Sequence, residues 1–321
     1  MNISFVSIKR TIKYIISQKL YYNNIEMCSI WCYTIPKILS DRMHMRYRKG
    51  EISCYAAYAE PLVYHLHHNK FKIFYTQENT HAANSPWQRW KECWLWKDAP
   101  SLSIGFDYVD HPKYIRFPYW IEHIFGPIAT RQDVTAFVVK HNLCADALFR
   151  DKDCAFICRQ DYFGDRAQIA DLVAQVMPMS YPSDFRHNDD DMRGKFGDDK
   201  IAYLRQFKFN LCPENSNNRG YVTEKIFQAV EAGCIPIYWG NEGYPEPDIL
   251  NPNAIVYLDK DNPEEGLALL RKLYEDPKAY AEFASQPRFL LGAEEKIYGY
   301  YQRLEEKLKE VLCSGESRVK R

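Results

Sequence analysis

Lys225 and Glu224 stand at the start of what the sequence marks as a helix, directly after a polar, turn-forming stretch from Glu214 to Gly220. A helix N-terminus presents backbone N–H groups and a partial positive charge, so it attracts phosphate. Lys225 would add an ammonium to that site. Glu224 beside it is an acceptor suited to sugar or ribose hydroxyls, and Thr223 or Asn218 could cap the helix. An ordinary capped helix with solvated charges fits the same spacing, so spacing alone leaves both readings open.

The elements that must position these residues are legible on either side. Phe207, Phe209, Leu211 and Cys212 form a short apolar run that predicts a strand. Ile226, Phe227, Ala229 and Val230 follow at helical spacing, with Gly233 as a stop. Cys234 to Trp239 predicts a buried strand closed by Gly240. Strand, loop, helix and strand in this order make a βαβ crossover, the unit that feeds a parallel sheet.

Further candidates lie upstream. Phe71 to Tyr75 predicts a strand, followed by Thr76-Gln77-Glu78-Asn79. A carboxylate at a strand's carboxyl end faces the crevice of an open α/β sheet, so Glu78 could act as a general base. The alternative is a loop glutamate accepting backbone hydrogen bonds. Arg166, at the predicted start of a helix running to about Gln175, could grip a phosphate with its guanidinium fork, or be a surface arginine. Asp189-Asp190-Asp191 invites a divalent-ion reading, but no strand precedes it and a solvated loop is preferred. His65, His67 and His68 lack the partners a zinc site needs, which predicts packing or solvation. Trp87, Trp90, Trp94 and Trp96 crowd one segment, where core packing is the default and sugar stacking the alternative.

The 321 residues predict about two domains, and 46% hydrophobic content with 15% aromatics can fill both cores. A formal net charge of zero argues against a nucleic-acid partner held by a bulk positive field. The ten cysteines show no C-x-x-C pair. They read as reduced core thiols of a cytoplasmic protein, with a disulfide framework as the alternative. No run reaches the apolar length of a membrane span. Met1 to Leu20 reads as a plain first helix, not a secretory signal, although a surface-lying amphipathic segment is an alternative. Met1 to Asn69 otherwise gives no clear strand-helix alternation. The helical, charged pattern from Ala129 breaks by Lys152, and the boundary is placed there: 1–150 as an N-terminal domain, 151–300 as a C-terminal one, and 301–321 as a closing helix and basic tail. That tail could touch the inner face of a membrane. No G-x-G-x-x-G follows a strand, which disfavours a dehydrogenase.

Three linked runs resemble the signature of the α-1,3-fucosyltransferases, glycosyltransferase family 10. They are Phe209-Asn210-Leu211-Cys212-Pro213-Glu214-Asn215, Gly220-Tyr221-Val222-Thr223-Glu224-Lys225-Ile226 and Cys234-Ile235-Pro236-Ile237-Tyr238-Trp239-Gly240. Upstream, Phe74-Tyr75-Thr76-Gln77-Glu78-Asn79 is similar to the family's Tyr-Thr-Gly-Glu-Asn element. The resemblance spans roughly Phe71 to Tyr300.

It implies an α/β fold of GT-B type, with two Rossmann-like domains facing a cleft and the nucleotide-sugar in the C-terminal half. The implied reaction is an inverting transfer of L-fucose from GDP-β-L-fucose to a glycan hydroxyl, the 3-OH of GlcNAc in an N-acetyllactosamine-like unit, without an essential metal. By the same resemblance Glu78 matches the general base and Glu224 a second catalytic carboxylate. Arg166, Asn215, Tyr221, Glu224 and Lys225 match donor-binding positions. The partners implied are GDP-fucose and an oligosaccharide acceptor. The alternative from another class is a non-catalytic nucleotide-sugar-binding relic. The chain departs from the family pattern at Pro213, where an aromatic is usual, at Gln77, where glycine is usual, and at Ser180-Tyr181-Pro182-Ser183, which replaces a glycine-rich loop.

Overall fold

The computed structural model describes residues 19–83, 85, 87, 101–143 and 150–313. Met1 to Gln18 of the expected first helix, Trp90, Trp94 and Trp96, and the basic tail Ser314–Arg321 lie outside the described residues. The chain divides into two units, Met1–Thr130 with Tyr298–Arg321, and Arg131–Ile297.

The first unit holds a six-stranded sheet in the order β1-β2-β3-β4-β5-β6. Its strands are β1 (Leu20–Tyr22), β2 (Ile25–Met27), β3 (Ile52–Ala56), β4 (Phe71–Tyr75), β5 (Leu102–Gly105) and β6 (Tyr114–Arg116). β1 and β2 are antiparallel, and every pairing from β2 to β6 is parallel. All five residues of β3 are buried, as a strand covered on both faces requires. β4 begins and ends where the apolar run predicts. The region before Asn69 gave no pattern because β1 and β2 have three residues each, too few for a period of two to show.

The second unit is a five-stranded parallel sheet in the order β11-β10-β9-β7-β8. Its strands are β7 (Lys152–Ala155), β8 (Met179–Ser180), β9 (Phe207–Pro213), β10 (Ile235–Trp239) and β11 (Val256–Tyr257). The helix Glu224–Ala232 carries the chain from β9 to its neighbour β10, the crossover that the sequence predicts. Ile226, Phe227, Ala229 and Val230 are its buried stripe. Gly233 ends it in the left-handed region, φ 78°, and a Cβ there would lie 2.5 Å from Arg150 Nη2. Arg150 donates from Nη2 to Ala232 O at 2.6 Å, a cation on the negative end of the helix dipole.

The division of the chain falls earlier than the sequence pattern suggests. The helix Arg131–Asn142 belongs with the second unit, where Asn142 Oδ1 accepts from Phe289 N at 2.8 Å. The charged break after it ends a helix, not a domain. The closing helix, Ala293–Cys313, starts in the second unit and finishes in the first, where the Tyr301 hydroxyl donates to Gly126 O at 2.5 Å. Pro118 is the N-cap of a further helix in the first unit, Tyr119–Phe125.

Seven described cysteines are buried free thiols, and Cys313 is an exposed one. Among the described residues no helix is long and apolar enough to cross a membrane.

His141 gives the second unit an acid-sensitive point. Burial, then the charges of Lys140 and Arg205, lower its pKa to about 4. Below the ordinary histidine range the unfolded chain binds a proton that the folded chain does not. Stability is therefore full above about pH 6.5 and falls as pH drops toward 4. The melting temperature should decline over that window, and less steeply in His141→Gln. Parallel slopes for the two proteins would contradict this.

Candidate functional site

In the second unit the site is built around Glu214, the residue that follows β9. β9 is the central strand of its sheet, and its carboxyl end is where open α/β sheets bind ligands. Glu214 N continues the ladder to Trp239 O at 2.9 Å, while its side chain turns inward and is 0% exposed. The carboxylate accepts from Thr223 N at 2.8 Å, from the Thr223 hydroxyl at 2.7 Å and from Lys225 Nζ at 3.0 Å. Tyr238 OH lies 3.5 Å away. A buried carboxylate is tolerated only with such partners.

Gly240 is required here. At φ 140° a Cβ would stand 2.7 Å from Glu214 Cγ, so only glycine lets the end of β10 pass this close.

Glu214 in turn fixes Lys225. The ammonium also reaches Thr223 Oγ1 at 2.7 Å, and its side chain remains 23% exposed. Burial alone would lower its pKa, but the Glu214 and Glu224 carboxylates outweigh burial, and the pKa is raised. Lys225 is thus a fixed cation at the first turn of a helix, reaching toward solvent. Thr223 holds the N-cap position but makes no side-chain cap, because its hydroxyl is given to Glu214. Asn218, outside the N-cap position, accepts from Tyr221 N at 3.0 Å through its backbone carbonyl.

Arg166 lies in the first turn of the helix Asp165–Ala174 and joins the same cluster. Its Nε approaches Glu214 O at 3.5 Å, and its Nη1 donates to Gln160 O at 2.6 Å. Its charge is felt at Lys225. Two cations therefore converge on Glu214, one at its carbonyl and one at its carboxylate.

The loop between β9 and the helix is pinned by a second loop that sequence reasoning missed. Asn241 Oδ1 accepts from Gly220 N at 2.5 Å, and Asn217 Oδ1 accepts from Glu242 N at 2.6 Å. Asn241 and Glu242 both have positive φ, 58° and 53°. Of the remaining residues singled out, Asn215 is exposed in this loop, Glu224 is half-buried and Tyr221 is buried at 2%.

In the first unit Glu78 follows β4, a central strand, at its carboxyl end. The Thr76 hydroxyl shapes this exit, donating to Glu78 O at 2.6 Å and accepting from Glu78 N at 3.2 Å. Tyr58 OH donates to Glu78 Oε1 at 2.5 Å. Burial, then the Glu78 charge, pushes the Tyr58 phenol well above its ordinary pKa, so it stays a donor. Gln77 explains its own departure from glycine: its buried side chain donates from Nε2 to Glu122 Oε2 at 2.9 Å. The Thr34 hydroxyl donates to the other oxygen of that buried carboxylate at 2.6 Å.

Two carboxylates of the acidic run pair with lysines, and the third, Asp190, lies 2.9 Å from His187 Nε2. Lys152 Nζ bridges Asp189 at 3.4 Å and Asp191 at 3.0 Å, and Lys195 pairs with Asp191 at 2.9 Å. His67 packs against the Tyr55 hydroxyl at 2.8 Å. Among the described residues no group of three or more histidine, cysteine or carboxylate side chains could hold a metal.

A loop-to-helix cation held by a buried glutamate narrows the comparison with known proteins. Residues 168–308 match the model of the C-terminal domain of glycosyltransferase family 10 (fucosyltransferase). An alpha-(1,3)-fucosyltransferase of Helicobacter pylori is 27% identical over 246 residues, 67% of this chain and 46% of that protein. An alpha-(1,4)-fucosyltransferase of Arabidopsis thaliana is 33% identical over 90 residues, 28% of this chain and 22% of that protein. The chain thus spans less than half the length of these relatives. A crystal structure of an alpha1,3-fucosyltransferase covers 84% of both chains at a TM-score of 0.57 and 21% identity. That likeness shows the fold: the two parallel-sheet units are those of a GT-B protein.

Proposed function

We propose that this protein transfers L-fucose from GDP-β-L-fucose to a glycan hydroxyl, with inversion at the fucose carbon. The observation that carries the proposal is the Lys225–Glu214–Arg166 cluster at the carboxyl end of β9. A departing diphosphate needs positive charge where its own charge grows, and fixed cations at a helix N-terminus supply it. Lys225 and Arg166 take that role and do what a divalent ion does in other transferases, so no metal is assigned as essential. Glu224 and Asn215, flanking the loop, are assigned to the donor's hydroxyls. Glu224 is also assigned the stabilisation of oxocarbenium-like charge.

Glu78 is assigned the acceptor hydroxyl proton, as an inverting displacement needs one base on the acceptor side. An N-acetyllactosamine-like acceptor, modified at the 3-OH of its GlcNAc, is the first candidate. The buried thiols support a reducing compartment, hence a cytoplasmic placement. The test is GDP release from GDP-fucose with lactosamine and type 1 chain acceptors, followed by linkage determination. Release that depends on an acceptor supports the assignment. GDP binding without transfer to any acceptor would leave only a nucleotide-sugar-binding relic.

A further inference from the structure

Three neighbouring parallel strands of the first unit deliver aromatic or acidic side chains from their carboxyl ends. Trp31 follows β2, Tyr58 follows β3 and Glu78 follows β4. Ser29 Oγ accepts from Trp31 N at 3.2 Å and fixes a short 3-10 turn, Ile30–Cys32. That turn holds the Trp31 ring 48% exposed, with Ile30 beside it at 67%. The Trp31 and Tyr58 rings lie 5.4 Å apart at 33°, and Trp87 meets Tyr58 edge-on at 4.5 Å. The Tyr58 hydroxyl then ties the row to Glu78.

We propose that Trp31, Tyr58 and Trp87 form the platform on which the acceptor's pyranose ring lies, with the Glu78 carboxylate at its edge. The proposal rests on the reading of Glu78 as the acceptor's base. A pyranose has a face of C–H groups and a rim of hydroxyls. Aromatic rings take the first by apolar contact, and a carboxylate takes the second by hydrogen bonding. An exposed tryptophan in a row of rings marks a binding surface. A lipid surface suits the row less well, because the carboxylate fastened to Tyr58 would lose its hydration there.

The test compares wild type with Trp31→Ala and Trp31→Phe. Trp31→Ala should raise the acceptor KM by about tenfold, the scale of one aromatic contact, with the GDP-fucose KM unchanged. Trp31→Phe should recover much of the loss. An unchanged acceptor KM in an active Trp31→Ala protein overturns the platform and leaves the transfer reading intact. If wild type shows no transfer at all, saturation-transfer NMR with N-acetyllactosamine decides separately. Signal in wild type that is lost in Trp31→Ala supports the platform, and no signal in wild type overturns it. Trp31-dependent sedimentation with phosphatidylglycerol vesicles, without any sugar signal, would assign the row to a membrane instead.

Discussion

Lys225→Ala should lower kcat about 10²- to 10³-fold, the usual cost of removing one preorganised group that meets developing negative charge. It should also weaken GDP binding, measured by calorimetry, because the diphosphate persists in the product. The side chain is held by Glu214 and Thr223 before any ligand arrives. Its contribution therefore needs no reordering at the moment of reaction. Glu214→Ala separates position from charge. It keeps Lys225 but removes its anchor, and it leaves Thr223 N–H and the Thr223 hydroxyl without their buried acceptor. Each lost partner costs about 1–3 kcal/mol, so Glu214→Ala should also melt well below wild type, and Lys225→Ala, which leaves the buried Glu214 carboxylate without its ammonium, should melt below wild type as well. Equal turnover in wild type and Lys225→Ala would remove the lysine from the mechanism.

Glu78→Gln should lower kcat about 10²- to 10⁴-fold, the range for a lost general base, while GDP affinity stays as in wild type. The amide keeps the shape of the carboxylate and can still accept from Tyr58 through its oxygen, so folding should be little changed. It cannot take a proton. The split between lost turnover and retained GDP binding is the signature of a residue that serves the acceptor. A glutamate that only fastened Tyr58 would give near-normal rates in this variant, and single-turnover measurements would show it.

β4 was readable residue for residue, and β9 to within one residue, because parallel strands buried on both faces are written as dense apolar runs. The helix after β9 was readable because its buried stripe repeats at helical spacing and Gly233 stops it. β1 and β2 are too short to leave a period. The division of the chain was misplaced because a polar break in sequence cannot say with which core the preceding helix packs.

At the site, the sequence by itself determined which chemical groups follow which strand: Glu78 after β4, and Lys225 and Glu224 at the start of a helix. Tertiary structure alone decided what each one touches. It made Glu214 the buried anchor of Lys225, left Thr223 without a cap bond, drew Tyr221 into the interior, and gave Gln77 a partner in Glu122. It also paired Asp189 and Asp191 with lysines from outside the run. The physical reason is range. Strand and helix periods are written in neighbouring residues, but the partner of a buried charge is set by the packing of segments far apart in the chain.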